Sequence, residues 1–369
     1  MPDFIDLDVK HYNTSTEQWE TVTTSGVKSI RVRQRLNSPR EAIITFSNVK
    51  GKRAFKISRG DRIRIDASPI SWSSGSSISK PSVFYGLCSD VEVSDKEFRV
   101  VGLDTLGLLT NEILLTNPFS IRASEDGANV LKEIVGGSSY SLLTSLERML
   151  NKTEVKINSK TDITGKTRLD AMQTILGLIN STPALFRLKG NLKEKYVEFD
   201  RLPELDDSTV VPYLAGRFPR TTAPLDFIPT YITREEDESD LINMVTIKND
   251  DINLTITEPT TTPTNPIHRL YEETSVFDEA SARLLARQIL NQKGRARTRW
   301  KVEVIPNRLD IQCGDIIEFK SIEGGLTGRQ MVFEFSWELN PQEAVMSMTV
   351  GRQEADFITA IRFAANQSL

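Results

Sequence analysis

Gly60-Asp61-Arg62-Ile63-Arg64-Ile65 and Gly314-Asp315-Ile316-Ile317-Glu318-Phe319 decide how this chain is read. In each, Gly-Asp suits a tight turn and an apolar, largely alternating run follows, which predicts a strand with one wet face. Each is trailed by a loop containing Ser and Gly, then by a longer strand pair. The first pair spans 83–93 and 97–103, the second 331–339 and 344–351. Ser94-Asp95-Lys96 and Asn340-Pro341-Gln342 supply hairpin turns between them. Gly-Asp before apolar residues is by itself a common strand start. Shared order, spacing and trailing hairpin together predict divergent duplication of one barrel.

Working outward, Val27-Lys28-Ser29-Ile30-Arg31-Val32-Arg33 alternates, as do 41–46, 63–66 and 91–93. Asn37-Ser38-Pro39 and Arg59-Gly60-Asp61 punctuate these runs, and the Ser/Gly-rich 71–81 reads as a loop. Short strands at this spacing point to a barrel or sandwich. From Ser124-Glu125-Asp126, an N-cap signal, the period changes: Val130, Leu131, Ile134 and Val135 mark a helical face stopped by Gly136-Gly137. Further helices are predicted at 141–150 and 167–180, then a hairpin of 184–188 with 196–199. Residues 204–240 read as a Pro-containing connector. Its charged run 234–240 is read as solvated linker ahead of an acidic binding site. Strands resume at 241–247, a helix is predicted at 278–293 with Leu284, Leu285, Ile289 and Leu290 as its stripe, and strands follow at 299–305 and 315–320. The reading is an α+β, mainly β chain. It has a first β-barrel domain over 1–117, a small α/β insert over 118–203 and a linker over 204–240. A second barrel domain with helix 278–293 covers 241–353, and a C-terminal helix lies within 354–369.

Apolar residues make up 38% of the 369 and charged residues 26%, values of a globular chain. Lys and Arg (46) nearly balance Asp and Glu (50), for a net charge of -4, which argues against a dedicated nucleic-acid binder. Cys88 and Cys313 have no CxxC or Cys/His metal spacing and read as buried free thiols. The N-terminus has no basic region followed by an apolar run, so a signal peptide is not expected, and no stretch is long enough for a spanning helix.

Catalytic, cofactor and metal motifs are not found. His11 and His268 have no ligand-spaced partners, and neither a nucleophile elbow nor a phosphate-binding loop occurs. Gly324-Gly325-Leu326-Thr327-Gly328 reads as a hairpin tip. Glu92 with Glu97, or Glu334 with Glu338, could form a paired-acid site. At strand positions they read more simply as a sheet's wet face. Arg295, Arg297, Arg299 and Lys301 share one face at period two. That strip is either a solvated strand face or an interface or lumen strip beside a passing polyanion. Trp300 is expected to pack inward.

In order, these pieces resemble the central hub of bacteriophage tail baseplates, including T-even-like hubs and the late-control protein D family. The hub region of type VI secretion spike proteins is similar. The matching features are the Gly60-Asp61 barrel with 83–103, the helical insert with its hairpin, and a second barrel with helix 278–293 and Gly314-Asp315-Ile316-Ile317. The resemblance implies tail-tube-like barrels and a homotrimer forming a pseudo-sixfold ring between tail tube and spike, with DNA passing through. It implies tail tube, spike, tape-measure and other baseplate proteins as partners, and a place in the virion tail after assembly in the host cytoplasm. It implies no enzyme activity and no cofactor. A peptidoglycan- or carbohydrate-cleaving tail enzyme and a distal tail or adhesin protein are the alternatives.

Overall fold

The computed structural model describes residues 5–13, 15–22, 26–47, 57–69, 80–114, 120–121, 125–136, 157, 161–179, 186–194, 196–203, 205, 207–216, 225–237, 242–273, 276, 278–293, 297–320, 325–340 and 343–351. Its first half comprises β1 (Ile5–Asn13), β2 (Gln18–Val22), β3 (Val27–Arg35), β4 (Glu41–Ser47), β5 (Arg62–Pro69), β6 (Ser82–Val93) and β7 (Glu97–Leu103). Hydrogen bonding orders them β3-β4-β7-β6-β5-β1-β2, with every pair antiparallel. Alternation is the cause. Ile30 and Val32 of β3 are fully buried while Arg31, Arg33 and Arg35 are exposed, and β4 repeats this with Ala42, Ile44 and Phe46 inward.

The insert follows with α1 (Thr105–Leu108), β8 (Ser120–Ile121), α2 (Gly127–Gly136), β9 (Thr161–Asp162), α3 (Arg168–Ile179), β10 (Phe186–Gly190) and β11 (Val197–Arg201). Leu131, Ile134, Met172, Ile175 and Leu176 close its core against Leu188 and Phe199. Asp126 caps α2 by accepting from the Ala128 N–H at 2.9 Å. The Thr167 hydroxyl caps α3, accepting from the Asp170 N–H at 3.1 Å. The helices expected at 141–150 and within 354–369 lie outside the described residues.

The chain then contributes β12 (Tyr213–Ala215) and β13 (Phe227–Asp237), and leaves the barrel for β14 (Met244–Asn249), β15 (Leu254–Glu258), β16 (His268–Glu272) and α4 (Glu279–Lys293). It returns as β17 (Arg297–Pro306), β18 (Ile316–Phe319), β19 (Gly328–Asn340) and β20 (Glu343–Gly351). Six of these strands close a barrel, β13-β17-β20-β19-β18-β12, because β12 pairs with both β18 and β13. Two boundaries expected from the sequence change. Residues 204–240 are not a plain connector, since they supply two barrel strands; on β13 Glu235 pairs outward with Lys301 at 2.7 Å, and Arg234 lies over the Trp300 ring. Helix α4 does not pack in the barrel. Its Ala282, Ala286 and Ile289 bury against Val245 and Ile247 of the separate β15-β14-β16 sheet.

The halves repeat one plan. β3-β4-β7-β6-β5 matches β13-β17-β20-β19-β18 in order and direction. The irregularities match as well. β3 slips against β4 between Val27 and Ser29, and β13 against β17 between Pro229 and Tyr231. β6 slips against β7 between Cys88 and Asp90, and β19 against β20 between Val332 and Glu334. Bulges bend a sheet at set points, so their recurrence gives both halves the same curvature. β19 also pairs antiparallel with β3, from Glu334 opposite Arg35 to Leu339 opposite Ile30. One sheet therefore runs through both halves, and one apolar core underlies it.

Candidate assembly surface

The Gly-Asp corners have the same geometry. Gly60 and Gly314 have φ of 92° and 90°, a region that side chains disfavour. Gly60 N–H donates to Cys88 O at 2.8 Å, and Cys88 N–H returns to Asp61 O at 2.8 Å. Gly314 N–H donates to Val332 O at 2.7 Å, and Val332 N–H to Asp315 O at 3.0 Å. Each aspartate carboxylate accepts a backbone N–H three residues upstream, Ser58 at 2.7 Å and Gln312 at 2.8 Å. These four residues shape corners. The corners differ outside the turn: among the described residues nothing lies within 4 Å of a Cβ built on Gly60, whereas one on Gly314 abuts Leu202 and Arg187. Arg187 donates to Cys313 O at 2.6 Å and Asp315 Oδ1 at 3.2 Å, fastening the insert to the second barrel.

Between the halves lies a buried polar junction. Arg40 is 1% exposed. Its guanidinium donates to Val83 O at 2.7 Å and to Gln34 Oε1 at 2.9 Å in the first half, and to Ile311 O at 2.9 Å in the second. It also stacks over Phe335, 4.9 Å from the ring centre. Burial lowers its pKa to about 10, which leaves it charged at neutral pH. Asn37 receives the insert: its side-chain oxygen accepts from Leu188 N–H and its carbonyl from Gln173, each at 2.8 Å. Asp104 caps α1 through Gly107 N–H at 3.1 Å, and burial pushes its carboxyl up to about 6. Arg40 follows a turn signal, Asn37-Ser38-Pro39, and carries no periodic mark of burial in the sequence. The one available signal was Gln34, a polar residue on the inward face that holds Ile30 and Val32.

The outward face of β13-β17-β20-β19-β3-β4-β7-β6 is continuous across the junction. Of the basic strip expected there, Arg295 lies outside the described residues, and Arg297 is placed by register opposite Asp237. Arg299 and Lys301 stand outward on β17, and Trp300 is buried behind them. Lys301 pairs with Glu235 at 2.7 Å. Cross-strand ion pairs recur over the face. Arg35 meets Glu334 at 3.0 Å, Lys28 meets Glu97 at 2.9 Å, Arg99 meets Glu92 at 3.0 Å, and Arg33 meets Glu41. Three of the four carboxylates considered as acid pairs, Glu92, Glu97 and Glu334, thus sit in this ion-pair lattice. Cys88 and Cys313 are free and buried, and burial pushes the Cys88 thiol up to about 12. Among the described residues, no cluster of three His, Cys, Asp or Glu is placed to hold a metal. No described helix is long and apolar enough to cross a membrane.

No protein-family profile and no curated protein matches this chain. Solved structures do. The prophage MuSo2 43 kDa tail protein from Shewanella oneidensis aligns with a TM-score of 0.62 at 11% identity, covering 94% of this chain and 98% of its own. The tail protein from Neisseria meningitidis MC58 aligns at 0.61 and 12% identity, covering 96% and 99%. A chain of the Francisella PdpA-VgrG complex aligns at 0.56 and 11% identity, covering 95% of this chain and 53% of its own. At such identities the likeness concerns the fold. Over 94–96% of its length, the chain has the fold of these prophage tail proteins.

Proposed function

We propose that this chain is a structural hub of a phage tail or a related injection machine. Three copies form a ring of six barrel-like units that joins a tail tube to a spike, and DNA passes through the ring. The observation that carries this reading is the duplication, with matching strand order, bulges and corners and a strand-paired seam between the halves. A unit that joins a copy of itself head to tail generates a ring when the rotation closes. Two units per chain let three chains stand in for six subunits. The shared fold with tail proteins supports the setting.

In the ring, the ion-paired sheet face is the lumen wall, with Arg299 and Lys301 on it. Opposite charges placed within reach of one another offer a passing polyanion little net attraction, so DNA slides without being held. The chain acts through surfaces and needs no chemistry. Coexpression with a candidate spike protein, followed by light scattering, tests this. Complexes containing three 41.5 kDa chains are expected; a stable monomer in the presence of the spike contradicts it.

A further inference from the structure

The two halves differ in what lies beside the strand that leaves the Gly-Asp corner. The first half lays the hairpin β1-β2 antiparallel along β5, whereas the second lays β12 parallel along β18. With the corners superposed, Arg62 and Tyr85 of the first half correspond to Ile316 and Arg329 of the second. The chain covers that place in the second half itself. Ile316 is buried, and Arg329 donates to the carbonyls of Leu205 at 3.2 Å and Asp207 at 2.7 Å. Leu205 packs against the shared core. Leu205 and Asp207 belong to an acidic stretch of sequence, Glu204-Leu205-Asp206-Asp207.

The matching face of the first half is aromatic and cationic. Tyr85 is buried, and Glu194 of the insert turn acts on it. Beyond Tyr85, the side chains of Tyr12, Trp19 and Arg62 are half-buried. The Arg62 guanidinium lies 4.4 Å from the centre of the Tyr12 ring. Tyr12 meets Trp19 edge-on with ring centres 5.5 Å apart, and Trp19 meets Tyr85 at 5.8 Å. Among the described residues Arg62 makes no hydrogen bond and no ion pair. Stacking on Tyr12 fixes the plane of its guanidinium and leaves the edge donors for a planar acceptor. Lys10 and Arg64 share Asp66, at 2.9 and 2.7 Å, and Lys80 meets Asp8 at 3.1 Å. Lys10, Arg62, Arg64 and Lys80 thus stand against Asp8, Asp66 and Glu194, which leaves positive charge in excess.

We propose that this face binds an extended acidic segment of a partner protein. A carboxylate seats on Arg62, and an aliphatic side chain rests on Tyr12 and Trp19. Two observations choose this occupant. The equivalent place in the second half takes a segment with acidic residues and a leucine, and in the first half the excess charge is positive and its arginine is unpaired. The chain's own acidic stretch is already committed to Arg329, so the segment comes from another protein. The proposal does not depend on the ring.

The probe is a fluorescein-labelled peptide with the sequence of residues 203–209, titrated with the full chain and followed by anisotropy. Binding is expected, and Arg62→Gln should weaken it about tenfold. Arg62→Lys keeps the charge without the planar fork and should recover only part of the loss. A peptide whose acids are replaced by their amides should bind wild type about as poorly as the acidic peptide binds Arg62→Gln. Raising salt should weaken wild-type binding and change that of Arg62→Gln little. Melting temperatures close to wild type establish that both variants fold. Binding that survives Arg62→Gln but is lost in Arg329→Gln means that the peptide has exchanged into its own native place, and this overturns the site. Absence of binding overturns it too, as does a thymidine oligonucleotide that binds more tightly and displaces the peptide. None of these outcomes bears on the number of chains in the assembly, so this proposal and the hub reading fail separately.

Discussion

Replacing Arg40 should loosen the two halves from each other, and the size of the effect follows from its contacts. Arg40→Ala leaves Val83 O, Ile311 O and Gln34 Oε1 without their guanidinium donor in a buried site. Each orphaned acceptor costs about 1–2 kcal/mol. Loss of the contact with Phe335 adds to this, and release of a buried cation from its desolvation offsets part. The net is about 4 kcal/mol. For a chain of 369 residues the unfolding entropy turns that into a fall in melting temperature of roughly 5 °C. Arg40→Met keeps most of the volume and isolates the hydrogen-bonding share. Differential scanning calorimetry reads both variants. Because Arg40 ties Val83 to Ile311, the Ala variant should also broaden or split the melting peak. A fall below about 1 °C with a single sharp transition would refute the role assigned to Arg40.

Asp104 has a raised pKa, so its carboxylate opposes folding most above pH 6, and that penalty fades as pH falls towards 3.8. Asp104→Asn keeps an oxygen for Gly107 and should stabilise the protein at pH 8, by at most about 3 kcal/mol. The difference from wild type should vanish near pH 4; thermal unfolding across pH 4–8 measures it. Gly60→Ala should cost backbone strain, about 1–2 kcal/mol, since among the described residues nothing lies within 4 Å of its Cβ position. Gly314→Ala drives a methyl to 2.6 Å from Leu202 and 2.7 Å from Arg187, so it should lose clearly more in denaturant titration. Glu41→Gln with Glu334→Gln releases Arg33 and Arg35 from their partners, and DNA retention on a filter should rise above wild type at low salt.

Much of the barrel pattern was legible because it depends on period two. Ile30, Val32, Ile44 and Phe46 announce their face by alternation, and the Gly-Asp corners announce the repeat. β13 was hidden because Arg234 and Glu235 look like linker charges. Their meaning comes from β17, which lies far along the chain and supplies Lys301. The stripe of α4 predicted a helix, but a stripe does not say which sheet it covers. Arg40 has no periodic signature: its neighbours Asn37, Ser38 and Pro39 read as a turn, and two of its three hydrogen-bond partners, Val83 and Ile311, come from distant segments. The outward ion pairs were invisible for the same reason, since cross-strand register joins residues such as Arg35 and Glu334 that sequence separates.

Electron cryo-microscopy of the purified assembly tests the duplication-to-ring argument most directly. End-on averages should show six barrel-like lobes in a closed ring, built from three chains, with strand-paired seams between neighbouring lobes. A ring of six complete chains, or lobes that meet without strand pairing, would contradict it.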